Sequence, residues 1–333
     1  RGTAYNVFIY NKYAYVADGN GGIAVFDVSD SAKPVQLGLY DTYDARSVYV
    51  QREYVYIADG KNGLVVIKDN SIDNPTISRV ETYDTAGYAE GIYLQGNYAY
   101  VADEGNGLVI LDISNPKSLT QVGWYDTAGY ARGIYLQGNY AYVADYNNGL
   151  VILDVSNPKS PVQVGWYDTY YDALGVYVQG NHAYVVYGSN GLVIIDISNP
   201  KSPVQVGWYD TAGNALGVYI QGNYAYVADG SNGLVILDVS NPKSPVQVGR
   251  YDTAGYAEGV YIQGNYAYVA DEQNGLVILD ISNPKSPVQV GRYYTAGYAW
   301  GVYIQGNYAY VADGENGLVI LDVSNPKSPV QVG

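Results

Sequence analysis

An Asp that closes the segment Tyr-Ala-Tyr-Val-Ala-Asp returns at a nearly fixed interval along the whole chain. It stands at Asp18, Asp59, Asp103, Asp145, Asp229, Asp271 and Asp313, with Tyr187 in the one slot that lacks it. The spacing is 42 in the later copies, after first intervals of 41 and 44. Eight copies account for all 333 residues and leave no linker and no second domain. A period of 40–45 residues that holds four strands is the signature of propeller blades. The blades fall at about 1–42, 43–85, 86–127, 128–169, 170–211, 212–253, 254–295 and 296–333.

The third copy shows how a unit is built. Strands are predicted over 89–95, 98–103, 108–113 and 119–126, separated by Gly96-Asn97, by Glu104-Gly105-Asn106-Gly107 and by Ser114-Asn115-Pro116-Lys117-Ser118. Gly and Asn suit tight reversals because they tolerate positive φ. Pro is placed just before the fourth strand, where a missing N–H removes no ladder bond. In the second strand Tyr98, Tyr100 and Ala102 share one face and Ala99, Val101 and Asp103 the other. One face is bulky and one is small, and neither is charged until the strand ends. Such a sheet suits stacking between like sheets, with the Tyr face of one blade filling the space over the Ala/Val face of the next. The composition agrees: 41 Tyr and 40 Gly, with no Met, favour strands and tight turns over helices. The fold class is therefore all-β, a closed eight-bladed β-propeller with four antiparallel strands per blade. An open solenoid would need polar capping units, whereas the first and last copies carry the same core residues as the others. The chain starts in a first strand (4–10) and ends in a fourth, so closure should pack blade eight on blade one without a shared blade.

The run Leu-Val-Ile-Leu-Asp at 108–112, 150–154, 234–238, 276–280 and 318–322, and Leu-Val-Ile-Ile-Asp at 192–196, resembles the LVIVD-repeat family. The trailing Val/Ile-Ser-Asn-Pro and the later Val-Gly, as at Val122-Gly123 and Val164-Gly165, are similar too. The first two copies depart from the pattern, with Ala24-Val25-Phe26-Asp27 and Leu64-Val65-Val66-Ile67-Lys68. The family is one of propeller-like repeats in bacterial and archaeal cell-surface proteins, generally with no assigned activity. The resemblance thus implies an architecture and an extracellular or cell-surface location, but no chemistry.

Several function classes are disfavoured. The net charge of −15, with only 17 Lys and Arg, argues against nucleic acid. There is no Cys, hence no disulfide or thiolate metal site. No apolar run is long enough to form a transmembrane segment. The chain opens on Arg1 and not on Met, so a leader or anchor ahead of it is left open. The single His, His182, fills the slot held by Tyr98, Tyr140 and Tyr224, and reads as a ring replacing a ring. No nucleophile elbow, P-loop or dinucleotide fingerprint is present. No catalytic residue and no cofactor is expected.

Most of the 32 acidic residues occupy three recurring slots. Seven Asp end second strands, seven end third strands (Asp27, Asp112, Asp154, Asp196, Asp238, Asp280, Asp322) and six end fourth strands (Asp41, Asp84, Asp126, Asp168, Asp210, Asp252). The second-to-third turn and the fourth-to-first connection lie at the same end of the disc, here called the top. The top should therefore gather the first and last sets, while Lys33, Lys117, Lys159, Lys201, Lys243, Lys285 and Lys327 lie at the bottom. A Ca²⁺ site built from Asp103, Asp145, Asp229 or Asp271 is one reading, though the spacing is not that of a calcium loop. The expectation is instead that each Asp caps its own turn. Trp124, Trp166 and Trp208, in consecutive outermost strands, suggest either an exposed stripe for a sugar or protein, or partial burial against the next blade, the plainer expectation.

Where the copies disagree, they do so at the top. The second residue of the first strand is Tyr5, Arg46, Glu90, Arg132, Leu174, Leu216, Glu258 and Trp300 in turn. These should ring the mouth of the central channel and point into open space. Nearby, Lys61, Glu104, Tyr146, Ser189, Ser231, Glu272, Gln273 and Glu315 vary after the second strand. Tyr43-Asp44, Tyr88, Tyr130, Tyr171-Asp172, Asn214, Tyr256 and Tyr298 vary before the first. Drift of unconstrained positions and a composite recognition site both explain this. The expected function is a non-enzymatic surface or secreted module, monomeric, that binds a protein or carbohydrate ligand through its top face and channel mouth. A structural envelope or surface-layer component, possibly calcium-assisted, is the alternative, and a propeller hydrolase or lyase comes third.

Overall fold

A computed structural model describes residues 2–31, 33–69 and 77–332. The chain folds into eight four-stranded antiparallel sheets, each formed by four strands consecutive in sequence. In blade 3 these are Gly91–Gln95, Tyr98–Ala102, Leu108–Asp112 and Thr120–Tyr125. The predicted strands are each longer by a residue or two, because their ends already belong to the turns. No helix among the described residues is long and apolar enough to cross a membrane.

Both faces of each blade are buried, as the large/small alternation requires. Tyr56, Ala58, Leu64 and Val66 of blade 2 pack on Ala99, Val101, Val109 and Leu111 of blade 3. The same contact recurs around the ring, including blade 8 on blade 1, where Tyr310, Ala312 and Ile320 meet Ala14, Val16 and Ala24. Closure therefore repeats the ordinary blade interface, and no strand is exchanged.

Each interface is also pinned by hydrogen bonds. At the top, the residue after the second-strand Asp pairs with the Ala that opens the next blade: Glu104 with Ala131, Tyr146 with Ala173, and Gly314 with Ala4 across the closure. These Ala are fully buried, and a larger side chain would push the blades apart. At the bottom, the last Gln of a first strand donates to the turn of the next blade, as Gln137 Nε2 does to the Gly180 carbonyl over 2.9 Å. At the outer edge, Tyr167 donates its hydroxyl to Gln205 over 2.6 Å.

The Val-Gly near the end of blades 3 to 7 has a tertiary cause. The third and fourth strands slip register between Ile110 and Leu111, leaving an extra residue in the fourth strand. A side chain on Gly123 would collide with the Pro158 carbonyl of the next blade. This glycine is demanded by a neighbour 35 residues away, not by its own strand.

Candidate functional site

At the top of each blade the second-strand Asp anchors the chain entering that blade. Asp103 accepts from the Thr85 hydroxyl at 2.6 Å and from Asn106 Nδ2 at 2.9 Å. It also accepts from the backbone of Gly87. Asp145 repeats the arrangement with Thr127 and Asn148, and Asp229 with Thr211 and Asn232. Asp59, Asp103, Asp145, Asp229, Asp271 and Asp313 are fully buried. Burial pushes Asp103, Asp145 and Asp229 up to about 6, against the pull of these hydrogen bonds. Expected to cap its own turn through a backbone N–H, this Asp holds that turn through the Asn side chain and, being buried, also acts as an interior strut. It joins the incoming connection to the second-to-third turn. The third-strand Asp do cap their own turns, as Asp112 does by accepting from the Ser114 amide at 2.8 Å, and their carboxyls are held low by it. The fourth-strand Asp84 likewise accepts from the Ala86 amide at 2.8 Å. Among the described residues no three acidic or His side chains are grouped to hold a metal.

The eight variable first-strand residues do encircle the mouth, but not as side chains in open space. Arg132 is exposed, and the other seven are half-buried because the narrow inner radius brings neighbours together. Tyr5 and Trp300 meet across the closure with ring centroids 6.0 Å apart. The Arg46 guanidinium lies 4.4 Å from the Tyr5 ring and 2.9 Å from Asp44, and donates to the Tyr88 hydroxyl over 2.8 Å. Arg132 lies 4.7 Å from the Tyr146 ring and 3.9 Å from Glu104. Burial pushes the Glu90 carboxyl up, opposed by the charges of Arg46 and Arg132. Burial, with Glu272 adding its charge, takes Glu258 up to about 7. The three variable groups thus meet at Arg46 and at Arg132.

Below the mouth lies a feature the sequence reading overlooked. Phe8, Tyr49, Tyr93, Tyr135, Tyr177, Tyr219, Tyr261 and Tyr303 form an unbroken belt of rings. Successive centroids are between 4.8 Å (Phe8–Tyr49) and 6.4 Å (Tyr303–Phe8) apart. The signal was an aromatic at the same slot of every first strand. Spacing along one strand did not show that these rings meet.

The three Trp are about half exposed, at 48% for Trp124, 46% for Trp166 and 48% for Trp208. Each indole donates to the carbonyl of the turn Asn in its own blade, at 2.7 Å in the case of Trp124 to Asn106. That hydrogen bond ties each indole to the rim of its own blade. Arg250 keeps the same partner in blade 6, with Nε 3.2 Å from the Asn232 carbonyl. His182 stands 6.5 Å from Tyr184, as Tyr224 does from Tyr226, and lies at the bottom of its blade, away from the mouth.

Together these features define a closed propeller whose two ends differ: a bottom that is nearly uniform in blades 3–8, and a top where irregular side chains from every blade converge. The LVIVD repeat model matches residues 1–42, 44–85, 86–127, 128–169, 172–211, 212–253, 254–295 and 296–333, and the chain belongs to that family. No curated protein sequence matches it. Its backbone is similar to the computationally designed Ika8 protein (8% identity, 96% of each chain covered, TM-score 0.78). It is also similar to BamB from Moraxella catarrhalis (15% identity, 95% of this chain and 92% of that one, TM-score 0.71). Sqt1 from Chaetomium thermophilum aligns over 96% of this chain and 97% of that one, at 10% identity and a TM-score of 0.75. At such identities the likeness is one of fold.

Proposed function

We propose that the protein is a non-catalytic interaction module of the cell surface or a secreted assembly, binding a protein or glycan through its top face and channel mouth. One observation carries this reading. Side chains that break the eightfold repetition converge at one end of the disc, mixing exposed aromatics, Arg and carboxylates in mutual contact. Aromatic and Arg anchors of this kind dominate recognition surfaces. The one His lies at the other end, which favours binding over acid–base chemistry. Location rests on the family resemblance. The test is a glycan array together with a panel of purified surface proteins, probed with the parent chain and with Trp300→Ala and Arg132→Ala. Binding that falls at least about tenfold in variants with a retained Tm supports the mouth. Binding unchanged in both removes it as the site.

A further inference from the structure

Blade 5 is built differently at its top. The strut Asp is replaced by Tyr187, and the slot whose amide faces that Asp, a Gly in the other blades except blade 2 with Tyr43, holds Tyr171. At Gly87 or Gly213 a Cβ would meet the Asp carboxylate, but blade 2 holds Tyr43 in that slot with its amide 3.0 Å from a retained Asp59, so it is the loss of the Asp that sets blade 5 apart. With the carboxylate gone, Thr169 turns its hydroxyl to the Tyr171 carbonyl over 2.6 Å. Asn190 loses the carboxylate that Asn106 and Asn148 hold, and its amide reaches only Ser189, at 3.4 Å. Tyr187 is buried and Tyr171 stacks on it, centroids 6.0 Å apart and planes 29° apart, which leaves Tyr171 53% exposed. Beside it Tyr170 is 80% exposed although its φ is +61°, where a bulky residue is costly. Ala holds that conformation in other blades. The space between these groups is a cleft of about 510 Å³, edged by Arg132, Tyr146 and Asp172.

We infer that this cleft is a binding site for a neutral saccharide. It rests on the top-face reading and narrows it to one place and one ligand class. A pyranose has an apolar C–H face that lies on an aromatic ring, and Tyr171, backed by Tyr187, is a ring held flat with one side open. Its hydroxyls need donors and acceptors at the rim of that ring. Asn190 and Arg132 supply donors and Asp172 supplies an acceptor. Arg132 faces Glu104 at 3.9 Å and Asp172 shares the rim, so no cation is left unpaired to draw an anionic ligand, and the site suits one without net charge. The volume is that of a small-ligand pocket.

The test uses the folded chain and four neutral disaccharides: maltose, cellobiose, lactose and N,N′-diacetylchitobiose. Saturation-transfer NMR and calorimetry on the parent should show ring protons of at least one of them contacting the protein. The double variant Tyr171→Gly/Tyr187→Asp restores the strut of the other blades and should keep or raise the Tm while weakening binding at least about tenfold. Tyr170→Ala, at an 80% exposed side chain, should weaken it too with the fold intact, which covers the case of a double variant that does not fold. No transfer to any of the four sugars, or binding that survives both variants, overturns the inference. A sugar whose binding survives these variants but is lost in Trp300→Ala sinks the cleft while leaving the mouth standing.

Discussion

The Thr127 hydroxyl meets the Asp145 carboxylate at 2.5 Å, across 18 residues and inside the protein. The bond joins the connection from blade 4's predecessor to the turn that contacts blade 5. Removing the carboxylate leaves Thr127, Asn148 and the Gly129 amide without it in a buried setting. Asp145→Ala should therefore cost about 2–3 kcal/mol. Asp154→Ala, at an exposed turn, should cost about 1 kcal/mol or less. Parallel denaturation of the two variants checks the contrast, and equal losses would remove the strut.

Calcium should act weakly. The oxygens of Asp103, Asp145, Asp229 and Asp271 already accept from Thr and Asn. Millimolar Ca²⁺ should leave the Tm unchanged within error. A site with a Kd near 10⁻⁴ M would instead add about 1.4 kcal/mol at 1 mM. A chelator-reversible rise in Tm would refute this expectation.

Stability should depend on pH through Glu258. Its folded pKa, about 7, lies above its ordinary value of 4.5. The neutral form is therefore favoured by folding. Its contribution is fully present below pH 4.5 and is lost as pH rises through 7. Glu258→Gln should raise the Tm at pH 8 and change it little at pH 5. Half-exposure to solvent limits the gain at pH 8 to about 1 kcal/mol. Asp103, Asp145 and Asp229, raised to about 6, act in the same direction. The third-strand Asp, held low, matter only in acid.

Ring closure should be measurable at one pair. Tyr5 and Trp300 touch across the only interface that joins the two ends of the chain. A double-mutant cycle with Tyr5→Ala and Trp300→Ala should give a coupling of about 0.5–1.5 kcal/mol. Tyr5→Ala with Leu174→Ala, on the opposite side of the ring, should be additive. Coupling at neither pair would mean that the mouth residues do not pack.

The sequence by itself determined the period, the blade count, the four-strand unit and the face each residue takes. These follow from a 42-residue repeat and a two-residue alternation, both of which act locally. It also showed which positions vary, and that Tyr187 breaks the Asp pattern. The tertiary structure alone decided what those residues touch. Positions 42 apart in sequence become ring neighbours, so the Phe8–Tyr303 belt and the Tyr5–Trp300 contact exist only once the ring closes. Asp145, expected to cap its turn, proved to be an interior strut as well, because the entering chain folds over it. Tyr171 and Tyr187, 16 residues apart, proved to stack on each other where other blades hold an amide–Asp hydrogen bond. Alternation along a strand tells which way a side chain points. The neighbour it meets is set by the packing of another blade, because burial and hydrogen bonding depend on groups that the local sequence does not contain.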